Sequence, residues 1–133
     1  MRSRYWPIEQ LPGLSGEQVT QLKACGINTT EELLQKGRTP QLQQELANQL
    51  QISLQYVRKW VALADLARIP SVGCQFCGLL LHSGIASVSQ LSQTNVQRLR
   101  HQILRLQVAT MQRRDLCPRV GLVKQWLEEG RSL

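Results

Sequence analysis

The sequence predicts an all-α fold made of two tandem units, residues 1–62 and 63–133, that share a linking helix over about residues 54–68. Three observations predict it. First, hydrophobic residues make up 42% of the 133 and aromatics only 5%, so the core must come mainly from Leu, Ile, Val and Ala. With many Gln residues and no useful run of alternating polarity, that composition favours helices over strands. Second, the chain resembles itself at an offset of 58. Ile8–Gln35 falls on Leu66–Gln93 with six identities in 28 positions: Pro12/Pro70, Leu22/Leu80, Gly26/Gly84, Ile27/Ile85, Leu33/Leu91 and Gln35/Gln93. Third, helix start and stop residues punctuate both copies at matching places.

The elements follow in order. Pro12 and Pro70 cannot continue a helix, and Gly13 and Gly73 permit a tight turn. Ser15 with Gln18 forms a capping box for the next helix. That helix carries Val19 and Leu22 inward in the first copy, and Cys77, Leu80 and Leu81 in the second. It stops at Gly26 or Gly84, and Ile27 or Ile85 returns to the core. Thr29 with Glu32, and Ser87 with Gln90, cap short helices. Thr39-Pro40 opens a helix to about Leu50, and Ser53 caps one bearing Leu54, Val57, Trp60, Val61 and Ala64 inward. Thr94 with Gln97 starts another, and Arg119–Glu129 forms the last, with Val120, Val123, Trp126 and Leu127 inward. Val57-x-x-Trp60 pairs with Val123-x-x-Trp126 after a small register change. Pro7 interrupts the ten residues before the first turn, so the first copy is expected without a full opening helix.

The strings LPGLS and IPSVG, each leading into a helix that ends in Gly-Ile, resemble the helix-hairpin-helix motif, whose hairpin reads roughly apolar-Pro-Gly-apolar-Gly. Each copy resembles the C-terminal domain of the bacterial RNA polymerase alpha subunit. The whole chain resembles a family of tandem helix-hairpin-helix proteins common in cyanobacteria. Ser15 replaces the second hairpin glycine in copy one, and Ser71 replaces the first in copy two. The resemblance implies that the backbone amides of the hairpins, around Gly13, Leu14, Ser15 and Gly16 and around Val72, Gly73 and Cys74, hold nucleic-acid phosphates. Free N–H groups at the positive end of a helix dipole attract anions without reading base sequence. Glu17, and the lack of dense Lys/Arg around either hairpin, leave open the alternative that both are plain helix–helix turns.

Charge points the same way. The net charge is +7, and the seven basic residues between Arg98 and Lys124 meet a single acid, Asp115. If 95–114 is one helix, Arg98, His101, Gln102, Arg105, Gln112 and Arg113 share a face, with Leu99, Ile103, Leu106 and Thr110 turned to the core. With Arg114 and Arg119, this stripe suits nucleic acid or an acidic protein surface; a plain solvated face is the other reading.

Enzyme chemistry is not visible. There is no Walker loop, HExxH or carboxylate pair, and no metal or cofactor is expected. Cys74-x-x-Cys77 lacks a second pair, and Cys77 aligns with the core position of Val19, so a buried structural cysteine is expected. Trp6 is expected to be an exposed anchor for a protein contact. No run is apolar enough to span a membrane and the basic N-terminus lacks the apolar stretch of a leader, so a cytoplasmic location is expected. The leading expectation is a non-catalytic binder of nucleic-acid phosphates. The alternative is an adaptor that docks on a larger assembly, which the resemblance to the cyanobacterial family would place in transcription or the photosynthetic apparatus.

Overall fold

The computed structural model of the chain describes residues 3–109 and 118–133. Among them are eight α-helices and no strand. The helices are α1 (Gly16–Ala24), α2 (Thr30–Lys36), α3 (Pro40–Leu50), α4 (Leu54–Ala67), α5 (Gly73–His82), α6 (Val88–Ser92), α7 (Val96–Ala109) and α8 (Val120–Ser132). A short 3-10 turn, Ile8–Gln10, precedes them. No helix among the described residues is long and apolar enough to cross a membrane.

Local chemistry sets most helix boundaries. The Ser15 hydroxyl accepts from the Gln18 amide (3.1 Å), and the Gln18 side chain accepts from the Ser15 amide (2.9 Å). This reciprocal pair satisfies two otherwise orphaned donors at the start of α1. At α2 and α6 the box is shifted by one residue. Thr29 and Ser87 cap Glu32 and Gln90, but those two side chains reach back to the amides of Asn28 (3.1 Å) and Ala86 (3.0 Å). The helix ends match as well. Gly26 and Gly84 take positive φ, and the next residue donates back into the helix: Ile27 to the Leu22 carbonyl at 2.9 Å and Ile85 to the Leu80 carbonyl at 3.0 Å. Both isoleucines are buried.

Two boundaries differ from expectation. Asn95, not Thr94, caps α7, because its side-chain oxygen accepts from the Arg98 amide at 2.7 Å while the Thr94 hydroxyl donates to Gln90. The last helix runs on past Glu129 to Ser132, with Glu129 and Gly130 both buried.

Helix α4 is the centre of the structure. It packs against α2, α3 and α5, and buries Val57, Trp60, Leu63, Ala64, Leu66 and Ala67. A helix enclosed on several sides needs apolar residues around most of its circumference, not on one stripe. Its one acid near the C-terminus, Asp65, is fully used: Oδ1 accepts from Arg68 Nε (2.9 Å) and Oδ2 from the Val88 amide (2.8 Å). The second bond ties α4 to the start of α6. Helix α8 packs on α6 and α7. The approach to α6 is close at Gly130, where an added Cβ would lie 3.5 Å from Ile69 and 3.7 Å from Leu91.

The segment before α1 runs as an extended strap. Its amides bond in turn to the Arg68 carbonyl (from Arg4), the Thr30 hydroxyl (from Trp6) and the Asn28 carbonyl (from Ile8). Trp6 is therefore not an exposed anchor. It is partly buried, its indole N–H donates to the Ala67 carbonyl at 2.7 Å, and the Arg4 guanidinium stacks on it at 4.4 Å. Indole offers a large apolar body and one donor, and the chain's own Ala67 carbonyl meets that donor.

Candidate nucleic-acid interface

The two hairpins, alike in sequence, differ in what surrounds them. In the first, Pro12 starts the turn, Gly13 adopts φ +82°, and Gly13, Ser15 and Gly16 are exposed. Such a φ carries a steric cost for any residue with a Cβ, which is why glycine stands there. The Leu14 amide closes the Pro12–Gly13 turn and the Ser15 amide is committed to Gln18, whereas the amide of Gly16 meets no acceptor among the described residues. Lys59 of α4 reaches over the turn, with Nζ 3.5 Å from the point where a Cβ on Gly13 would stand. Lys59 makes no ion pair among the described residues. Opposed to it is Glu17, exposed in the first turn of α1. Lys23, the one cation on α1, is paired with Glu9 at 3.4 Å. The backbone hydrogen bond at Glu9, ahead of Lys23, holds its carboxyl below the usual range.

The second hairpin is filled from within, and the expectation that its amides await a ligand does not hold for Val72 and Gly73. The amides of Val72 and Gly73 both donate to the Ile69 carbonyl, at 3.0 Å each, and both residues are buried. Ser71, ahead of them, is held by α8. Its amide and its hydroxyl donate to the two oxygens of Glu129, at 2.9 and 2.6 Å, and its carbonyl accepts from Trp126 Nε1 at 3.1 Å. Glu129 is only 3% exposed. A buried carboxylate needs such donors, since desolvation otherwise disfavours its charge. Gly73, at φ +53°, has the Trp6 ring against it, 3.0 Å from where a Cβ would be. Cys74, next in line, is partly buried. A carboxylate and an indole of the chain thus lie against the turn where a phosphate was expected.

On α7, Leu99 and Ile103 are buried while Arg98, His101 and Arg105 are exposed, as the helical spacing predicts. Gln102 is partly buried, and its side-chain oxygen has no partner among the described residues. Arg100 also turns partly inward, with its Nε buried and unpartnered. Arg119 is exposed at the start of α8. Arg113 and Arg114, with Gln112 and Thr110, lie outside the described residues.

Cys77 is buried, and Cys74 lies one helical turn before it with its carbonyl 3.8 Å from the Cys77 sulfur. Burial pushes the Cys74 thiol up to about 11 and the Cys77 thiol up to about 12. A thiol that holds its proton so firmly is a poor nucleophile and a poor metal ligand. No group of three or more His, Cys, Asp or Glu among the described residues could hold a metal ion.

Sequence reasoning missed two residues at the hairpins, Lys59 and Glu129. Lys59 precedes the inward Trp60, and nothing local shows that α4 crosses the first turn. Glu129 carried a legible sign: a carboxylate three residues after Trp126, on the inward face of α8.

The fold and these turns define a class: an all-helical protein in which proline-containing turns lead into capped or buried helix starts. Within it, the chain belongs to the DUF4332 family, a domain of unknown function whose model matches residues 12–133. No curated protein and no solved structure matches the chain.

Proposed function

We propose that the chain is a pair of tandem helix-hairpin-helix-like units joined through α4, and that it binds nucleic acid by its backbone phosphates without reading sequence. It acts by binding, not catalysis. The matched pairs support the two-unit reading: Ile27 and Ile85 donate back to Leu22 and Leu80, and the boxes at α2 and α6 share the same one-residue shift.

The observation that carries the binding reading is the first hairpin. Among the described residues its Gly16 amide is unused and the Lys59 ammonium, which stands over Gly13, has no ion pair; the turn opens to solvent. Backbone N–H groups, a helix N-terminus and a cation together favour a phosphate oxygen. The exposed Arg98 and Arg105, with Arg119, supply further phosphate contacts. Large apolar side chains are scarce on the surface: Tyr5, Tyr56 and Val120 are the exposed ones among the described residues. That favours an electrostatic partner over one held by apolar burial.

The test is a fluorescence-anisotropy titration of a labelled duplex at several salt concentrations. The affinity is expected to fall steeply with salt, and each lost phosphate contact flattens the log–log slope by about 0.9. Lys59→Glu, and Arg98→Glu with Arg105→Glu, are expected to weaken binding, while Glu17→Gln strengthens it. Absence of binding at low salt overturns the reading, and leaves an adaptor for an acidic protein surface.

A further inference from the structure

The Asp65–Arg68 pair forms part of the wall of a second feature, separate from both hairpins. It is a groove of about 640 Å³ between α2, α4, the strap and the residues leading into α6. Its volume falls within the range of small-molecule sites, about 300–1,000 Å³. Its floor is apolar and partly buried, formed by Leu34, Val61 and Ala62. The floor is set by the close crossing of the turn after α2 over α4, since a Cβ at Gly37 would lie 2.5 Å from Val61 Cγ2. Tyr5, 42% exposed, stands at the edge with its ring available.

The polar groups of the groove are unevenly satisfied. Asp65 is neutralised by Arg68 and the Val88 amide, and Arg68 also donates to the Ser3 hydroxyl at 3.1 Å. Arg38 and Arg58 both line the groove, both are exposed, and neither has a side-chain hydrogen bond or ion pair among the described residues. Among the described residues that line the groove, Glu31 is the one acid without an ion pair. Gln43 has its side-chain N–H₂ on the Gly37 carbonyl at 2.9 Å, which leaves its side-chain oxygen as an oriented, unused acceptor.

We propose that this groove binds a mononucleotide. Two free guanidinium groups complement a terminal phosphate, for which their planar donor forks are well suited. A flat base covers the Leu34–Val61–Ala62 floor and stacks on Tyr5, and the Gln43 oxygen accepts from an exocyclic amine. The ligand must carry both halves, because the floor attracts a flat apolar body and only the arginines attract the anion. A mononucleotide is the ligand class that brings a base of this size together with a phosphate.

The test is calorimetry of the full chain with AMP, ADP, UMP, adenosine and inorganic phosphate, with ¹H–¹⁵N spectra to locate the shifts. AMP or ADP is expected to bind saturably below about 1 mM, and adenosine and phosphate alone at least about tenfold more weakly. Arg38→Glu and Arg58→Glu are each expected to weaken nucleotide binding by about tenfold, the scale of a lost charge-assisted contact. Ala62→Phe fills the floor and is expected to abolish binding while leaving duplex binding intact, and circular dichroism verifies that each variant folds. Lys59→Glu is expected to leave nucleotide affinity unchanged. The proposal is overturned by no saturable binding, by phosphate binding as tightly as a nucleotide, by retained affinity in the arginine or Phe variants, or by loss in Lys59→Glu. Duplex binding without nucleotide binding overturns the groove alone; nucleotide binding without duplex binding supports it and removes only the hairpin reading.

Discussion

The carboxylate of Glu129 takes both the amide and the hydroxyl of Ser71, at 2.9 and 2.6 Å, and so holds the last helix against the second hairpin. Trp126 completes the clasp through the Ser71 carbonyl. All the polar groups of one turn residue are thereby met by a helix more than fifty positions away in sequence. Removing Glu129 leaves a partly buried amide and hydroxyl without acceptors. Glu129→Ala is expected to destabilise the protein by about 3 kcal/mol, as for charged hydrogen bonds that leave orphaned partners. Glu129→Gln keeps one acceptor and is expected to cost about 1 kcal/mol. Urea unfolding midpoints test the order; equal effects from Ala and Gln would show that the carboxylate serves only as packing.

The two buried tryptophans at matching sequence positions differ in one bond. Trp126 Nε1 donates to Ser71, and its ring lies 5.1 Å from that of Phe76. Trp60 Nε1 is buried with no partner among the described residues. Tryptophan to phenylalanine removes a useful donor in one case and an unsatisfied one in the other. Trp126→Phe is therefore expected to cost about 1–2 kcal/mol more than Trp60→Phe, measured by thermal or urea unfolding.

Gly73 carries two constraints and Gly84 one. Both have positive φ, at +53° and +97°, but only Gly73 has a ring against it, and an added Cβ at Gly84 meets nothing within 4 Å. Gly84→Ala is expected to cost about 1 kcal/mol of backbone strain alone. Gly73→Ala adds the clash with Trp6 and is expected to cost about 2–3 kcal/mol. In a double-mutant cycle with Trp6→Leu, part of that excess should vanish; strict additivity would show that the ring and the turn are uncoupled.

The thiols give the protein a pH dependence on the alkaline side. Cys74 and Cys77 release their protons near 11 and 12 when folded, against an ordinary value of 9.0. Above that ordinary value the unfolded chain loses protons that the folded chain keeps. Their contribution to stability is thus complete below about pH 9 and declines as pH rises toward 11 and 12. Urea midpoints measured from about pH 8 to 11 should fall more steeply in the native protein than in a Cys74→Ala, Cys77→Ala variant. Parallel slopes would show that the thiols are not responsible. Alkylation of Cys74 in the folded protein should also rise about tenfold per pH unit through that window, following its thiolate fraction.

Much of the helical layout was legible because it depends on near neighbours. Thr39-Pro40 marked the start of α3 and Ser53 that of α4, and the spacing of Leu99 and Ile103 showed which side of α7 is buried. The cap of α7 was misplaced by one residue because Thr94 and Asn95 are both good caps, and Thr94 instead bonds back into the end of α6. The site was less legible. Two turns with similar letters face different surroundings, and a turn's own residues do not say what crosses it. Trp6 looked free in a polar, proline-broken segment, yet an extended strap can carry a side chain to any surface it crosses, here Gly73 and the Ala67 carbonyl.

The sequence by itself determined that this chain is helical, where most helices begin and end, most of the side chains that enter the core (Val120, expected inward, is exposed in the first turn of α8), and that its net charge is strongly basic. Those properties rest on interactions across a few residues: caps, glycine ends and apolar spacing. Only the tertiary structure decided that the first hairpin stands open beneath Lys59 while Glu129 and Trp6 close the second, and that Arg38 and Arg58 share a groove with Tyr5. Those relationships join residues that the chain holds far apart, and they are set by how α4 and α8 cross the turns.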